Sequence, residues 1–365
     1  MNNAKNEIYS LGINQTADLI EVIGSTNSTL VQGNMGTGKT SLLYILAARL
    51  PTHKPVYLDG TTLIDSADMF MVKYSDDGLT FKTVPLEDLG LHMPDQPIIL
   101  MIDELGKMNR SAQLATLRLQ LERKHGNLSL HPDSIVFSTT NLGSEGVGDL
   151  LPAHARNRLT VVTMRKPDNM EWIEWGIDND IDPALLGFCK EHPELFHSFE
   201  QYENPKENPY IFHPRSEEPR VAFVTPRSLH KASHILRKRS LLDDKQLTAA
   251  LMGTIGAPAA LDLATFVQMA DKLPTRDQIE NDPTNAPVPD SPAAMCMVVY
   301  RALATIERKW VDSWLTYMDR LPKEAQGLFV NGVRTPNYSR RDYVTQTTKY
   351  QNWCLANNYM FSADK

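Results

Sequence analysis

The sequence predicts an α/β chain: a parallel five-stranded sheet sandwiched by helices, with a further helical region behind it. Three observations carry this. Strand-like runs at Thr29 to Val31, Val56 to Leu58, Ile98 to Ile102, Ile135 to Asn141 and from Leu159 or Thr160 alternate with helical stretches, the pattern of parallel strands joined by crossover helices. Two of these runs, IILMI and IVF, are continuously apolar, as strands covered on both faces are. A glycine-rich loop joins the first strand to an amphipathic helix, and polar residues gather at the ends of the third and fourth strands.

That loop organises the rest. The stretch LVQGNMGTGKTSLLYILAARL matches G-x-x-x-x-G-K-[ST] at Gly33, Gly38, Lys39 and Thr40, a phosphate cradle. The segment Gly33, Asn34, Met35, Gly36, Thr37, Gly38, Lys39, Thr40 and Ser41 can turn successive N–H groups toward one anion, helped by the helix N-terminus. Lys39 then reaches the β- and γ-phosphates and Thr40 holds Mg2+. ATP and Mg2+ are the expected ligands.

Composition sets the bounds. The chain has 365 residues, 42% apolar and 22% charged, long enough for more than one packed unit. Its longest aliphatic run falls far below the ~18 residues that span a bilayer, and the amino end lacks a signal pattern, so a cytoplasmic location is expected. Three scattered cysteines suit reduced thiols, not a disulfide framework or zinc site. A net charge of −7 argues against general nucleic-acid binding, although a local basic patch stays open.

In chain order, Thr16 to Ile23 suits a short helix leading into the first strand and bordering the nucleotide base. A helix is expected from about Leu63 to Val72. The sequence YSDDGLTF then reads as a hairpin inserted at about 69–91, whose Leu79 and Phe81 either grip a substrate or anchor the hairpin to its own domain. Next, Asp103 and Glu104 end the apolar third strand, where parallel sheets place ligands. Asp103 would position Mg2+, and Glu104 would orient and polarise the attacking water. Ser111 to Lys124 reads as a helix with Leu114, Leu117 and Leu121 on one face and Gly126 as its stop. At the end of the fourth strand Asn141, with Thr140 second, is the amide that holds water or senses the γ-phosphate, unless it is a plain turn residue. Arg156 and Arg158 precede the fifth strand, where a guanidinium can reach a neighbouring subunit's phosphate or merely make a surface ion pair.

Trp172 and Trp175 are expected in packing. Residues 202–220 read as a long surface loop. Thr225 and Pro226 open a helix that exposes Arg227 at its amino end, while the basic run from His230 to Arg239 is either a solvated face or a nucleic-acid contact. A proline-rich linker follows at 273–292. One helix from Pro292 to about Asp319 and a last one capped by Ser339 and Asp342 complete the pattern.

Taken together, the loop GNMGTGKT, the strand IILMIDE with the helix NRSAQLATLRLQLERK, the strand IVFSTTN, the tripeptide NRL and the later TPRS resemble the AAA+ ATPases, specifically the MoxR-like branch. The resemblance spans roughly residues 15 to 270. It implies Walker A at Gly33 to Thr40, Walker B at Asp103 and Glu104, sensor 1 at Asn141, the arginine finger at Arg158 with Arg156 in contention, and sensor 2 at Arg227. It also implies the AAA+ sheet order, an α-helical lid and a hexameric ring. The division is then 1–165 for the nucleotide-binding subdomain, 166–272 for the lid, 273–292 for the linker and 293–365 for a C-terminal helical extension. The implied work is chaperone-like remodelling of a protein client or partner complex, often alongside a von Willebrand factor A domain partner. The alternative is a nucleic-acid-associated motor or loader, and a small-molecule kinase is a weaker rival. Two departures stand out: Leu105, Gly106, Lys107 and Met108 replace the usual Ile-Asn-Arg-Ala after the carboxylates, and Asn157 and Leu159 flank Arg158 where Asp and Phe are common.

Overall fold

The structure, a computed structural model, describes residues 9–142, 157–216, 220–270, 272–335 and 338–357. The chain divides into two compact units, Met1–Lys166 and Pro167–Lys365.

In the first unit, β1 (Ser10–Leu11) leads through α1 (Ile13–Ile23) to β2 (Thr29–Gly33), then α2 (Ser41–Arg49) and β3 (Lys54–Asp59). A hairpin of β4 (Phe70–Tyr74) and β5 (Phe81–Pro85) precedes β6 (Ile98–Asp103) and α3 (Arg110–Glu122). A smaller hairpin, β7 (Lys124–His125) with β8 (Leu128–Ser129), precedes β9 (Ile135–Asn141) and β10 (Thr160–Met164). The main sheet runs β1-β10-β2-β9-β6-β3, parallel throughout. These are the five expected strands with a two-residue strand added at the β10 edge. The period of two divides β6 between two cores: Ile99 and Met101 pack with Leu42, Leu46 and Phe137 on one face, and Ile98, Leu100 and Ile102 with Leu117 and Leu119 on the other.

Several local expectations are corrected. The helix read over Leu63 to Val72 is only a single 3-10 turn, Ser66–Met69. Asp65 caps that turn through Ala67 N–H, and the residues from Phe70 onward pair in register with β5 instead. On α3 the apolar face differs from LxxLxxxL: Leu117 and Leu119 are buried, whereas Leu114 and Leu121 are exposed. The helix stops at Arg123, which is left-handed at φ 56° and closes the last turn. Gly126, also left-handed, serves the turn of the β7–β8 hairpin instead.

Among the described residues the second unit is helical: α4 (Asn169–Asp178), α5 (Pro183–Glu191), α6 (Pro226–Leu236), α7 (Asp244–Ile255), α8 (Ala257–Ala270), α9 (Arg276–Asn281), α10 (Pro292–Thr305), α11 (Val311–Met318), α12 (Lys323–Arg334), α13 (Arg341–Thr345) and α14 (Thr348–Ala356). One apolar core runs from Trp172 to Trp353, so the helices expected separately as lid and extension pack together. Residues 273–292 wrap against this core: Ile279 and Ala286 are buried, Tyr317 Oη donates to Pro287 O at 2.7 Å, and Arg320 donates to Pro283 O and Ala286 O. In the stretch read as a surface loop, residues 205–211 are likewise pinned, with Arg220 donating to the carbonyls of Pro205, Asn208 and Ile211.

The helix read from Pro292 to Asp319 breaks after Thr305, whose carbonyl accepts from Trp310 Nε1. Ser339 makes no capping box with Asp342; its N–H and hydroxyl both donate to Asp178. Trp172 is buried as expected, while Trp175 is 42% exposed. Trp314 is fully buried, its ring 5.3 Å from that of Phe329 and 5.8 Å from that of Tyr317. Trp314→Ala removes that packing and is expected to cost about 3–5 kcal/mol, read as a lower urea midpoint; an unchanged midpoint contradicts the packing described.

Candidate functional site

Parallel register brings the candidate residues to one edge of the sheet. Gly33 at the end of β2 is aligned with Asn141 at the end of β9, and Asp59 at the end of β3 with Asp103 at the end of β6. The carboxyl ends of four strands therefore meet, where open α/β sheets bind ligands.

Between β2 and α2 the loop turns on Gly36 and Gly38, at φ 68° and 94°, values that suit glycine. Gly33 has no room for a side chain: a Cβ there would lie 2.6 Å from Met164 O. Three tight contacts, Ser41 N–H to Gly38 O, Leu42 N–H to Lys39 O and Leu43 N–H to Thr40 O, wind Lys39 and Thr40 into the turn ahead of the helix proper, which begins at Ser41. Lys39 is only 7% exposed. Its Nζ donates to Gly33 O at 2.8 Å, to Asn34 O at 2.9 Å and to Asn141 Oδ1 at 2.9 Å. A buried ammonium tolerates that position because it is fully engaged by oxygens, and the same cation sits at the mouth of a glycine cradle fit for phosphate.

Asp103 gathers hydroxyls. Thr40 Oγ1 donates to its Oδ2 at 3.2 Å and Tyr57 Oη to the same oxygen at 3.0 Å, while Thr139 Oγ1 donates to Oδ1. Thr40 and Asp103 thus face each other as a hydroxyl and carboxylate pair, oxygen donors of the kind Mg2+ takes. Burial, then the charge and hydrogen bond of Asp103, push the Tyr57 phenol well above its usual range, so it stays a donor.

Glu104 follows in the left-handed region, φ 55° and ψ 40°, a conformation that costs a non-glycine residue about 1–3 kcal/mol and clusters at functional sites. Its N–H donates to Asp103 Oδ1 at 3.1 Å and to Thr139 Oγ1 at 3.3 Å. Its carboxylate accepts from Asn141 Nδ2, 3.3 Å from each oxygen, and pairs with Lys107 Nζ at 3.1 Å.

Lys39, Thr40, Asp103, Glu104 and Asn141 are therefore brought into one bonded set. Thr140 makes none of these bonds. Arg158 stands exposed in the turn just ahead of β10, and among the described residues no hydrogen bond ties it to that set. Arg156 lies outside the described residues. Arg227 is exposed in the first turn of α6, behind the cap that Thr225 makes with Ser228 N–H at 3.0 Å, and belongs to the second unit.

Three contributors escaped the sequence reading. Thr139 could have been found, since a strand's period of two puts it on the same face as Asn141. Tyr57 had no local signal, because its contact with Asp103 depends on β3 and β6 lying side by side. Lys107 stands three residues after Glu104, yet meets it only because Glu104 is left-handed.

No curated protein gives a significant match. Among solved structures, the chain is similar to the RuvB Holliday junction branch migration motor of Thermotoga maritima, at 15% identity over 75% of each chain and TM-score 0.36. A variant of that motor gives 15% identity over 75% of this chain and 79% of that one, TM-score 0.39. A presumed ATPase from Cytophaga hutchinsonii gives 14% identity over 71% and 90%, TM-score 0.35. The model of the AAA family, the ATPase family associated with various cellular activities, matches residues 29–165. That stretch, which holds β2 through β10 and every residue of the bonded set, is an AAA family domain.

Proposed function

We propose that the chain is an ATP-hydrolysing ring motor of the MoxR-like AAA+ type that remodels a protein client or a partner complex. The observation that carries the reading is the unbroken run of contacts from loop to strands: Lys39 to Asn141, Asn141 to Glu104, and Thr40 to Asp103. This arrangement supports the roles that phosphoryl transfer to water would ask of each group. The segment from Gly33 to Ser41 holds the triphosphate, with Lys39 as its cation. Thr40 and Asp103 hold Mg2+, which when bound offsets phosphate charge. Glu104 accepts the proton of the attacking water, and Asn141 fixes Glu104 and reports on the γ-phosphate. Arg158 of a neighbouring subunit, or Arg156 in its place, completes the site, and Arg227 is the residue through which the helical unit answers to nucleotide.

Phosphate release by the purified chain tests this directly. Turnover that needs Mg2+ and vanishes in Lys39→Ala is expected; equal turnover in Lys39→Ala removes the assignment. Stimulation by DNA that falls steeply with salt would move the reading to the nucleic-acid motor.

The inserted hairpin supports a client-gripping role. Its base is fixed by the Phe70 ring, stacked 3.4 Å from that of His125, and by Leu86 N–H donating to Met69 O. Leu79 and Phe81 are 83% and 62% exposed, which favours the gripping reading over anchoring to the chain's own domain. Exposed apolar side chains on a rigidly based loop suit recognition. Leu79→Ser with Phe81→Ser is expected to leave basal ATP turnover unchanged and to abolish capture of client by a Glu104→Gln trap. Undiminished capture contradicts the role.

A further inference from the structure

The left-handed backbone of Glu104 sends the chain straight into the tight turn Leu105–Lys107, closed by Lys107 N–H donating to Glu104 O at 2.8 Å. That turn returns the Lys107 side chain to the carboxylate it has just passed, with Nζ 3.1 Å from Oε2. From β9, Asn141 Nδ2 approaches both oxygens at 3.3 Å, and Asn141 is itself held through Oδ1 by Lys39. Two donors on different elements thus clamp one carboxylate, with the cation on Oε2. Both members of the ion pair are partly exposed, and such pairs add little to stability. Their effect on where a side chain points is another matter.

We propose, on the ATPase reading above, that Lys107 is a positioning residue for Glu104. Its ammonium holds Oε2 and fixes the carboxylate rotamer, so that Oε1 is the oxygen offered to water. In the step this serves, the water's O–H bond breaks with its proton passing to Oε1, its oxygen bonds the γ-phosphorus, and the bond from that phosphorus to ADP breaks. Without Lys107 the backbone still turns at Glu104 and Asn141 still makes its longer contacts, but the carboxylate is free to swing. Misplacing a reacting group by an ångström costs about tenfold to a hundredfold in rate.

The test compares wild type, Lys107→Met, Lys107→Arg and Glu104→Gln, measuring kcat and KM with Mg·ATP, affinity for a fluorescent ATP analogue, and the thermal midpoint. Lys107→Met is expected to lose about tenfold or more in kcat while KM, affinity and midpoint stay put, and Lys107→Arg to recover to within about threefold of wild type. The inference is overturned if Lys107→Met stays within about twofold of wild type, or if Lys107→Arg is as slow as Lys107→Met. It is also overturned if the slower turnover comes with a lower midpoint or weaker nucleotide binding, which marks a structural role. Glu104→Gln separates the two levels: normal turnover there removes the ATPase reading itself, whereas a slow Glu104→Gln beside a normal Lys107→Met removes only the role of Lys107.

Discussion

Glu104→Gln is expected to bind Mg·ATP as wild type does and to lose about 10²–10⁴-fold in kcat, the usual contribution of a positioned general base. The amide is nearly the same size and keeps an oxygen toward Lys107, so the turn after β6 is left in place. What it loses is the ability to take a proton. Lys39→Ala should fail earlier. Lys39 Nζ is the buried cation joining Gly33 O, Asn34 O and Asn141 Oδ1, so its removal deprives the cradle of its charge and takes away the donor to Asn141 Oδ1. Nucleotide titration is expected to show retained affinity in Glu104→Gln and no measurable binding in Lys39→Ala. Weak binding with fast turnover in Glu104→Gln would falsify the division of labour.

Arg158→Ala is expected to retain nucleotide and to lose about 10³-fold in turnover, at the low end of what a trans-acting arginine supplies. Arg158 is exposed ahead of β10, and no hydrogen bond among the described residues commits it to its own domain. An arginine so placed is available to a second copy. Arg156→Ala provides the control: if it is the slow variant and Arg158→Ala hydrolyses normally, the finger moves two residues and the ring model survives. Loss in neither leaves hydrolysis without a partner's help and contradicts the ring.

Much of the sheet and the site was legible because its signals are local. A glycine loop ending in Gly38, Lys39 and Thr40, and an apolar run ending in Asp103 and Glu104, state their chemistry within a few residues. Parallel register then brings those strand ends to the same edge of the sheet. What escaped the sequence was set by tertiary pairing. Phe70 to Val72 looked helical from upstream until β5 claimed it, and α3 buried Leu119 in place of Leu114 because the sheet, not the heptad-like spacing, chose its inward face. Ser339 was drawn to Asp178, some 161 positions away. Tyr57 and Lys107 belong to this class too: one reaches Asp103 across neighbouring strands, the other reaches Glu104 through a backbone conformation that no residue pattern announces.

The central claim is that ATP is cleaved at a seam between two chains, with Glu104 from one and Arg158 from the other. Mixing Glu104→Gln with Arg158→Ala tests it most directly, since each is expected to be nearly inactive alone. In a head-to-tail ring assembled from equal amounts, about a quarter of the seams pair an intact Glu104 with an intact Arg158. The account predicts that phosphate release returns to about that fraction of the wild-type rate on mixing. A mixture as inactive as its components would contradict it.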